Sequence, residues 1–165
     1  MEKKEESVLE GKKVLIADDE PDVLETLEEL LPMCEVVKAS TFEEAEKQLE
    51  SQYFDFAILD IMGINGYKLL EIAAGKNITV VMLTAHALTP QDTVKSFKEG
   101  AASYVPKDEM NNITTFLVDI LEAKKKGKSL WWRWMDRMEA YYKAKFGPDW
   151  KTGDKDFWDK FTFYT

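Results

Sequence analysis

The chain alternates short apolar runs with stretches whose apolar residues recur every three or four positions. Residues 13–17 (KVLIA) form the first run, which stops at Asp18-Asp19-Glu20. Pro21 follows where a first helical turn has no use for the missing N–H. Leu24, Leu27, Leu30 and Leu31 then keep helical spacing up to Pro32. A short strand is predicted over 35–38. Thr41, with Glu44 three residues on, makes a capping box for a helix that turns Ala45 and Leu49 inward and ends near Ser51. Residues 54–59 (FDFAIL) read as the next strand, ending at Asp60, and after the loop 61–65 a helix begins near Gly66. Residues 78–83 (ITVVML) form a continuous apolar strand that ends at Thr84. Thr89-Pro90 opens a helix closed by Gly100, a short strand 103–105 ends near Lys107, and a last helix starts around Glu109–Met110.

Strand and helix thus alternate five times, which predicts an α/β fold: a doubly wound, five-stranded parallel sheet with helices on both faces. The runs 54–59 and 78–83 are apolar throughout, as central strands buried on both sides must be. The lysines around Gly127 mark the end of this body. It is expected over 11–127, preceded by a flexible charged tail (1–10) and followed by an aromatic-rich helical extension (128–165).

In that extension Trp131, Trp134, Met135, Met138, Tyr141, Tyr142 and Phe146 step by threes and fours, predicting an amphipathic helix over 128–146. Its length would be ~28 Å. Gly127 costs only ~1 kcal/mol inside a helix, so the last helix of the body could run straight through it. Gly147-Pro148 stops the pattern, and 154–161 (DKDFWDKF) predicts a second short helix. The apolar stripe has two readings. It folds back onto the body, or it forms a partner or homodimer surface with Trp131, Trp134, Met138, Tyr142 and Trp158 as interface candidates. Few basic residues lie on its polar face, which argues against membrane-surface binding.

Charge narrows the function classes. The net charge is −9, with 14 Lys and Arg against 25 Asp and Glu in residues 1–127, and 8 against 6 in 128–165. Such a body repels a phosphate backbone, so no nucleic-acid partner is expected. No apolar run reaches the ~18–20 residues of a membrane span, and the charged N-terminus lacks the core of an export signal. With Cys34 as the one cysteine, no intrachain disulfide can form, and a cytoplasmic location fits.

In an open parallel sheet, ligands bind beyond the carboxyl ends of the strands. The residues at those ends are Asp18-Asp19, Asp60, Thr84 and Lys107. Singly, each has an ordinary explanation: an acidic helix start, a strand-end threonine, a surface lysine. Together they converge three carboxylates, a hydroxyl and an ammonium on one edge. Clustered carboxylates favour a hard divalent cation, Mg²⁺, which takes one or two carboxylates plus phosphoryl oxygens. A carboxylate beside such a metal can attack phosphorus, with Lys107 and Thr84 placed to receive the phosphoryl oxygens.

The stretches VLIADDEP (14–21), ILDIM (58–62), VVMLTAH (80–86) and GAASYVPK (100–107) resemble the receiver domain of two-component response regulators over about residues 11–126. The resemblance implies a flavodoxin-like sheet of order 2-1-3-4-5 and a phosphoryl group accepted on Asp60 from a histidine kinase or phosphotransfer protein. It implies Mg²⁺ held by Asp19, Asp60 and the Met62 backbone carbonyl, with Asp18 helping directly or through water. Lys107 would pair with the phosphoryl group, Thr84 would move toward it, and Tyr104 would swing inward. Output would run through the face of the fourth and fifth helices to a protein partner. His86, the one histidine, is peripheral. Two departures stand out. The loop from Asp60 to Gly66 is about two residues shorter than usual, and Asp108 replaces the proline that commonly follows the lysine. After Lys107 we therefore expect a trans link with local rearrangement, or else a strained one. Two rivals remain. An aspartate phosphatase would carry an acid/base where Met62 stands, and a constitutive binding module would use the fold without phosphorylation.

Overall fold

The computed structural model describes residues 7–85 and 88–164, the side chains of 162–164 excepted. Strands β1 (Lys13–Ala17), β2 (Glu35–Ala39), β3 (Phe56–Asp60), β4 (Thr79–Thr84) and β5 (Ser103–Pro106) form one parallel sheet in the order β2-β1-β3-β4-β5. Helices α1 (Pro21–Leu30), α2 (Phe42–Ser51), α3 (Gly66–Gly75), α4 (Pro90–Lys98) and α5 (Ile113–Lys126) connect and follow them. Every residue of β3 and β4 is buried, which is why their apolar runs show no alternation. Strand β3 starts later than its apolar run because the Asp55 side chain accepts the Lys13 N–H at 2.8 Å.

The predicted helix starts are built as their sequences dictate. Thr41 Oγ1 accepts the Glu44 N–H at 3.1 Å, while the Glu44 carboxylate reaches back to the Ser40 N–H at 2.9 Å. Thr89 Oγ1 caps α4 by accepting the Asp92 N–H at 3.0 Å, with Pro90 in the first turn.

Three expectations change. Residues 1–6 lie outside the described residues, but residues 7–9 form a helical turn rather than part of a flexible tail, with Leu9 fully buried. A hydrogen bond from Gly11 N–H to Met33 O at 2.9 Å ties the next turn down. The last helix of the body begins only at Ile113, because Lys107–Asn112 wind as a 3₁₀ helix. No peptide bond among the described residues is cis, so the link after Lys107 is trans with a local rearrangement. Gly127 does not sit inside a helix. At φ +67° it closes α5, and the Lys128 N–H returns to Ala123 O at 2.8 Å. A left-handed glycine cap is cheaper there than continuing the helix.

The extension therefore starts anew. It contains α6 (Trp134–Phe146), a 3₁₀ turn (Thr152–Asp154) and α7 (Lys155–Tyr164). The 13 residues of α6 span ~20 Å rather than the length of the whole stripe. The extension folds back on its own body, against α4 and the edge strand β5. The indole N–H of Trp131 donates to Ala101 O at 3.0 Å and that of Trp134 to Tyr104 O at 2.9 Å. The Phe97 ring of α4 meets Trp131, Trp134 and Phe161 at centroid distances of 5.1 Å each. Arg137 of α6 binds the buried Asp119 of α5 through two nitrogens, at 2.9 and 3.1 Å. Of the interface candidates, Trp134, Met138, Tyr142 and Trp158 are buried in cis and Trp131 is half-buried.

Replacing Leu9 with alanine tests where the body begins. A buried leucine in a packed site costs about 2–5 kcal/mol when truncated, read as a lowered urea midpoint. A change within about 0.5 kcal/mol would return the segment to a flexible tail.

Candidate functional site

The crevice opens where the chain reverses direction in the sheet, between the carboxyl ends of β1 and β3. Strand β1 delivers Asp18, which is fully buried, and the following Asp19, which is exposed. Strand β3 ends on Asp60, also buried, and β4 ends on the buried Thr84. The register pairs Asp60 with Leu83 and Thr84 with Pro106, so Thr84 lies one step beyond Asp60 on the neighbouring strand. Lys107 follows β5 immediately and turns its largely buried ammonium into the crevice.

That ammonium gathers the acids. Lys107 Nζ lies 2.8 Å from Glu20 Oε1, 3.0 Å from Asp18 Oδ2 and 3.5 Å from Asp60 Oδ1. Asp18 uses its other oxygen to accept the Glu20 N–H at 2.8 Å. Asp60 has its second oxygen held from the opposite side, by the Gly63 N–H at 2.9 Å. Glu20 and Gly63 join this cluster, which pattern reasoning did not foresee. Glu20 was visible as the third acid of the run 18–20; Gly63 was not, because its contribution is a backbone N–H.

The loop between Asp60 and Gly66 brings that N–H into place. Ile61 N–H bonds Leu83 O at 3.2 Å, Gly66 N–H returns to Ile61 O at 2.9 Å, and Asn65 takes a left-handed φ of +55° to enter α3. A Cβ at position 63 would overlap Asp19 Oδ1 and Asp60 Oδ2 where they now stand. Those two oxygens therefore border the same small space. Oxygen donors converging on one point suit a hard divalent ion, so the residues fit Mg²⁺. Carboxylate oxygens of Asp18, Asp19 and Glu20 also lie within 4.8 Å of one another. Met62, whose carbonyl would join the set, has its side chain exposed in this loop.

The electrostatics describe a site short of positive charge. Burial pushes the Asp60 carboxyl above its usual range, Asp19 adds to this, and Lys107 and the Gly63 N–H oppose it. Burial likewise raises Asp18 against the Glu20 N–H and Lys107. For Lys107, burial pulls the ammonium down, but Glu20 and Asp18 outweigh it and hold the group above its ordinary range. One ammonium does not neutralise the acids around it.

Tyr104 is not in this cluster. It is fully buried on β5, with burial raising its hydroxyl and Thr93, Tyr67, Asp92 and Tyr142 around it. His86 lies outside the described residues. Among the described residues, no helix is long and apolar enough to cross a membrane.

Comparison with known proteins agrees with this geometry. A family model for the response regulator receiver domain matches residues 14–117. The two-component response regulator ARR18 of Arabidopsis thaliana is 37% identical over 114 residues, covering 62% of this chain and 18% of that protein. The chain thus spans about a fifth of the length of this curated relative. A CheY-like receiver domain protein from Methanospirillum hungatei superposes with a TM-score of 0.64 at 26% identity, over 71% of this chain and 98% of that one. A Burkholderia pseudomallei response regulator, solved with a phosphorylated aspartic acid, a calcium ion and citrate, gives 0.53 at 26% identity, over 58% and 59%.

The raised carboxylates set the sign of a pH and cation dependence. A group whose folded pKa lies above its unfolded value adds stability only while protonated, and loses it as pH rises through the folded pKa. The cation-free chain therefore loses stability as pH rises above the ordinary aspartate range. At neutral pH, Asp60→Asn should raise the cation-free Tm by about 2–8 °C, while Mg²⁺ should stabilise the unmutated chain more than the variant. A lowered Tm in thermal unfolding would mean that the Lys107 contact outweighs the burial of Asp60.

Proposed function

This chain belongs to the response regulator receiver family, and on that premise we propose that Asp60 accepts a phosphoryl group from the phosphohistidine of a sensor histidine kinase or phosphotransfer protein. The observation that carries this reading is the setting of Asp60: buried, with Oδ2 held by the Gly63 N–H and Oδ1 facing Lys107. A carboxylate so held is oriented before the donor arrives, and orientation is much of what such a transfer requires. An Asp60 oxygen attacks phosphorus, the donor's N–P bond breaks, and the imidazole leaves as the acyl phosphate forms.

Lys107 already lies within reach of three carboxylates. It exchanges part of that set for the incoming phosphoryl oxygens. Thr84, buried at the end of β4, donates its hydroxyl to the same group, and Tyr104 follows on the neighbouring strand. Asp19, Asp60 and the Met62 carbonyl, with Asp18 assisting, would hold Mg²⁺, which would supply positive charge against the phosphoryl oxygens. The phosphorylated aspartic acid and calcium ion of the Burkholderia neighbour support both halves of this reading. The output is a changed protein-binding surface. Turnover of external substrates is not part of it, because Met62 stands where an aspartate phosphatase places its acid/base.

Intact mass after incubation with Mg²⁺ and acetyl phosphate tests the proposal. We expect a Mg²⁺-dependent gain of one phosphoryl group that Asp60→Ala abolishes. No gain in the unmutated chain, with donor in excess, would favour a constitutive binding module and point to the shortened loop as the cause.

A further inference from the structure

The extension does more than cover apolar surface: it sits on the residue that the proposed switch needs to move. Tyr104 is sealed beneath it. Trp134 of α6 donates to the Tyr104 carbonyl at 2.9 Å, and the Tyr142 hydroxyl of α6 meets Thr93 Oγ1 of α4 at 2.7 Å. Thr93 Oγ1 also donates to Thr89 O at 2.8 Å, so its hydrogen is spoken for and Tyr142 is the donor in that pair. The Tyr104 hydroxyl, buried on β5, lies near Thr93 and Tyr142. Three hydroxyls, on β5, α4 and α6, thus form one buried group. Trp134 and Tyr142, both fully or almost fully buried, cover the stretch of β5 that carries the buried Tyr104.

The same elements reach the phosphoacceptor. Strand β5 carries Tyr104 three residues before Lys107 and pairs Pro106 with Thr84, and α4 begins six residues after Thr84. The extension grips α4 unevenly. At its far end Phe97 is enclosed by aromatic rings and Lys98 pairs with Asp154 at 3.1 Å. At its near end, Pro90, Gln91 and Val94 border a cavity of ≈110 Å³ shared with Trp150 and Trp158.

We propose that residues 128–161 act as an intramolecular clamp: seated, they hold Tyr104 in its buried position, so seating of the extension and phosphorylation of Asp60 favour one another. This rests on the switch proposed above, in which Tyr104 moves inward as Thr84 engages the phosphoryl group. Linkage makes the coupling reciprocal. A partner directed at the α4–β5 face meets the extension first, and must read it or displace it.

The test uses the full chain with Tyr142→Phe, which removes one oxygen and keeps the ring, and Trp134→Phe, which removes the donor to Tyr104. Each deletes one buried hydrogen bond, so the phosphorylated fraction at limiting acetyl phosphate should fall roughly 3- to 10-fold. In the unmutated chain, hydrogen exchange across α6 should slow by a similar factor on phosphorylation. Unchanged or increased phosphorylation in both variants would overturn the clamp, as would α6 exchange indifferent to the phosphoryl group. An unmutated chain that never gains a phosphoryl group would sink the receiver reading instead, which keeps the two failures distinct.

Discussion

The Lys107 ammonium stands among the carboxylates of Asp18, Glu20 and Asp60, and the upper edge of the sheet is arranged around that one cation. Burying aspartates side by side is expensive unless charge is returned to them. Here the return is partial: a single ammonium, the Glu20 N–H and the Gly63 N–H. The deficit is what sets the site apart from an ordinary ion network. A fully neutralised cluster would be a structural ion network, indifferent to a divalent ion or a phosphoryl group. This one retains an unmet demand for positive charge, and holds one Asp60 oxygen oriented by the Gly63 N–H.

Much of this was legible from residue order alone. In a parallel sheet whose strands all point the same way, the residues that end apolar runs must share an edge, so Asp18, Asp60, Thr84 and Lys107 could be gathered from sequence. The same logic correctly marked 54–59 and 78–83 as central strands, because only strands covered on both faces tolerate unbroken apolar runs. What stayed hidden was backbone and long-range geometry. Gly63 contributes an N–H and an absence of Cβ, neither of which leaves a pattern. Leu9 stands with Val8 in a charged stretch, with no periodicity to announce its burial. Gly127 has two affordable conformations, mid-helix or left-handed cap, and the decision came from the return bond of Lys128.

The extension had two open readings because an amphipathic stripe states that something covers it, and not what. Indole and phenol groups carry both answers. Their rings supply apolar area, and their polar tips require partners once buried. The Trp131 and Trp134 N–H groups find carbonyls at and beside the edge strand β5, and the Tyr142 hydroxyl finds Thr93. Arg137 closes on Asp119 in a two-pronged pair on the far side. The result is an edge strand shielded by its own chain, which removes the template that an open strand offers to strangers.

All five tryptophans fall between positions 131 and 158, and the body that carries the acidic crevice has none. Their rings are packed into a single cluster around Phe97 and Tyr142, Trp132 apart, which instead lies beside Lys126, Lys128 and Arg133. The tryptophan emission of this protein is therefore a signal from one segment only. Any event at Asp60 that reaches the indoles has already crossed the sheet edge, so the molecule carries its own optical readout of whether chemistry at one end is felt at the other.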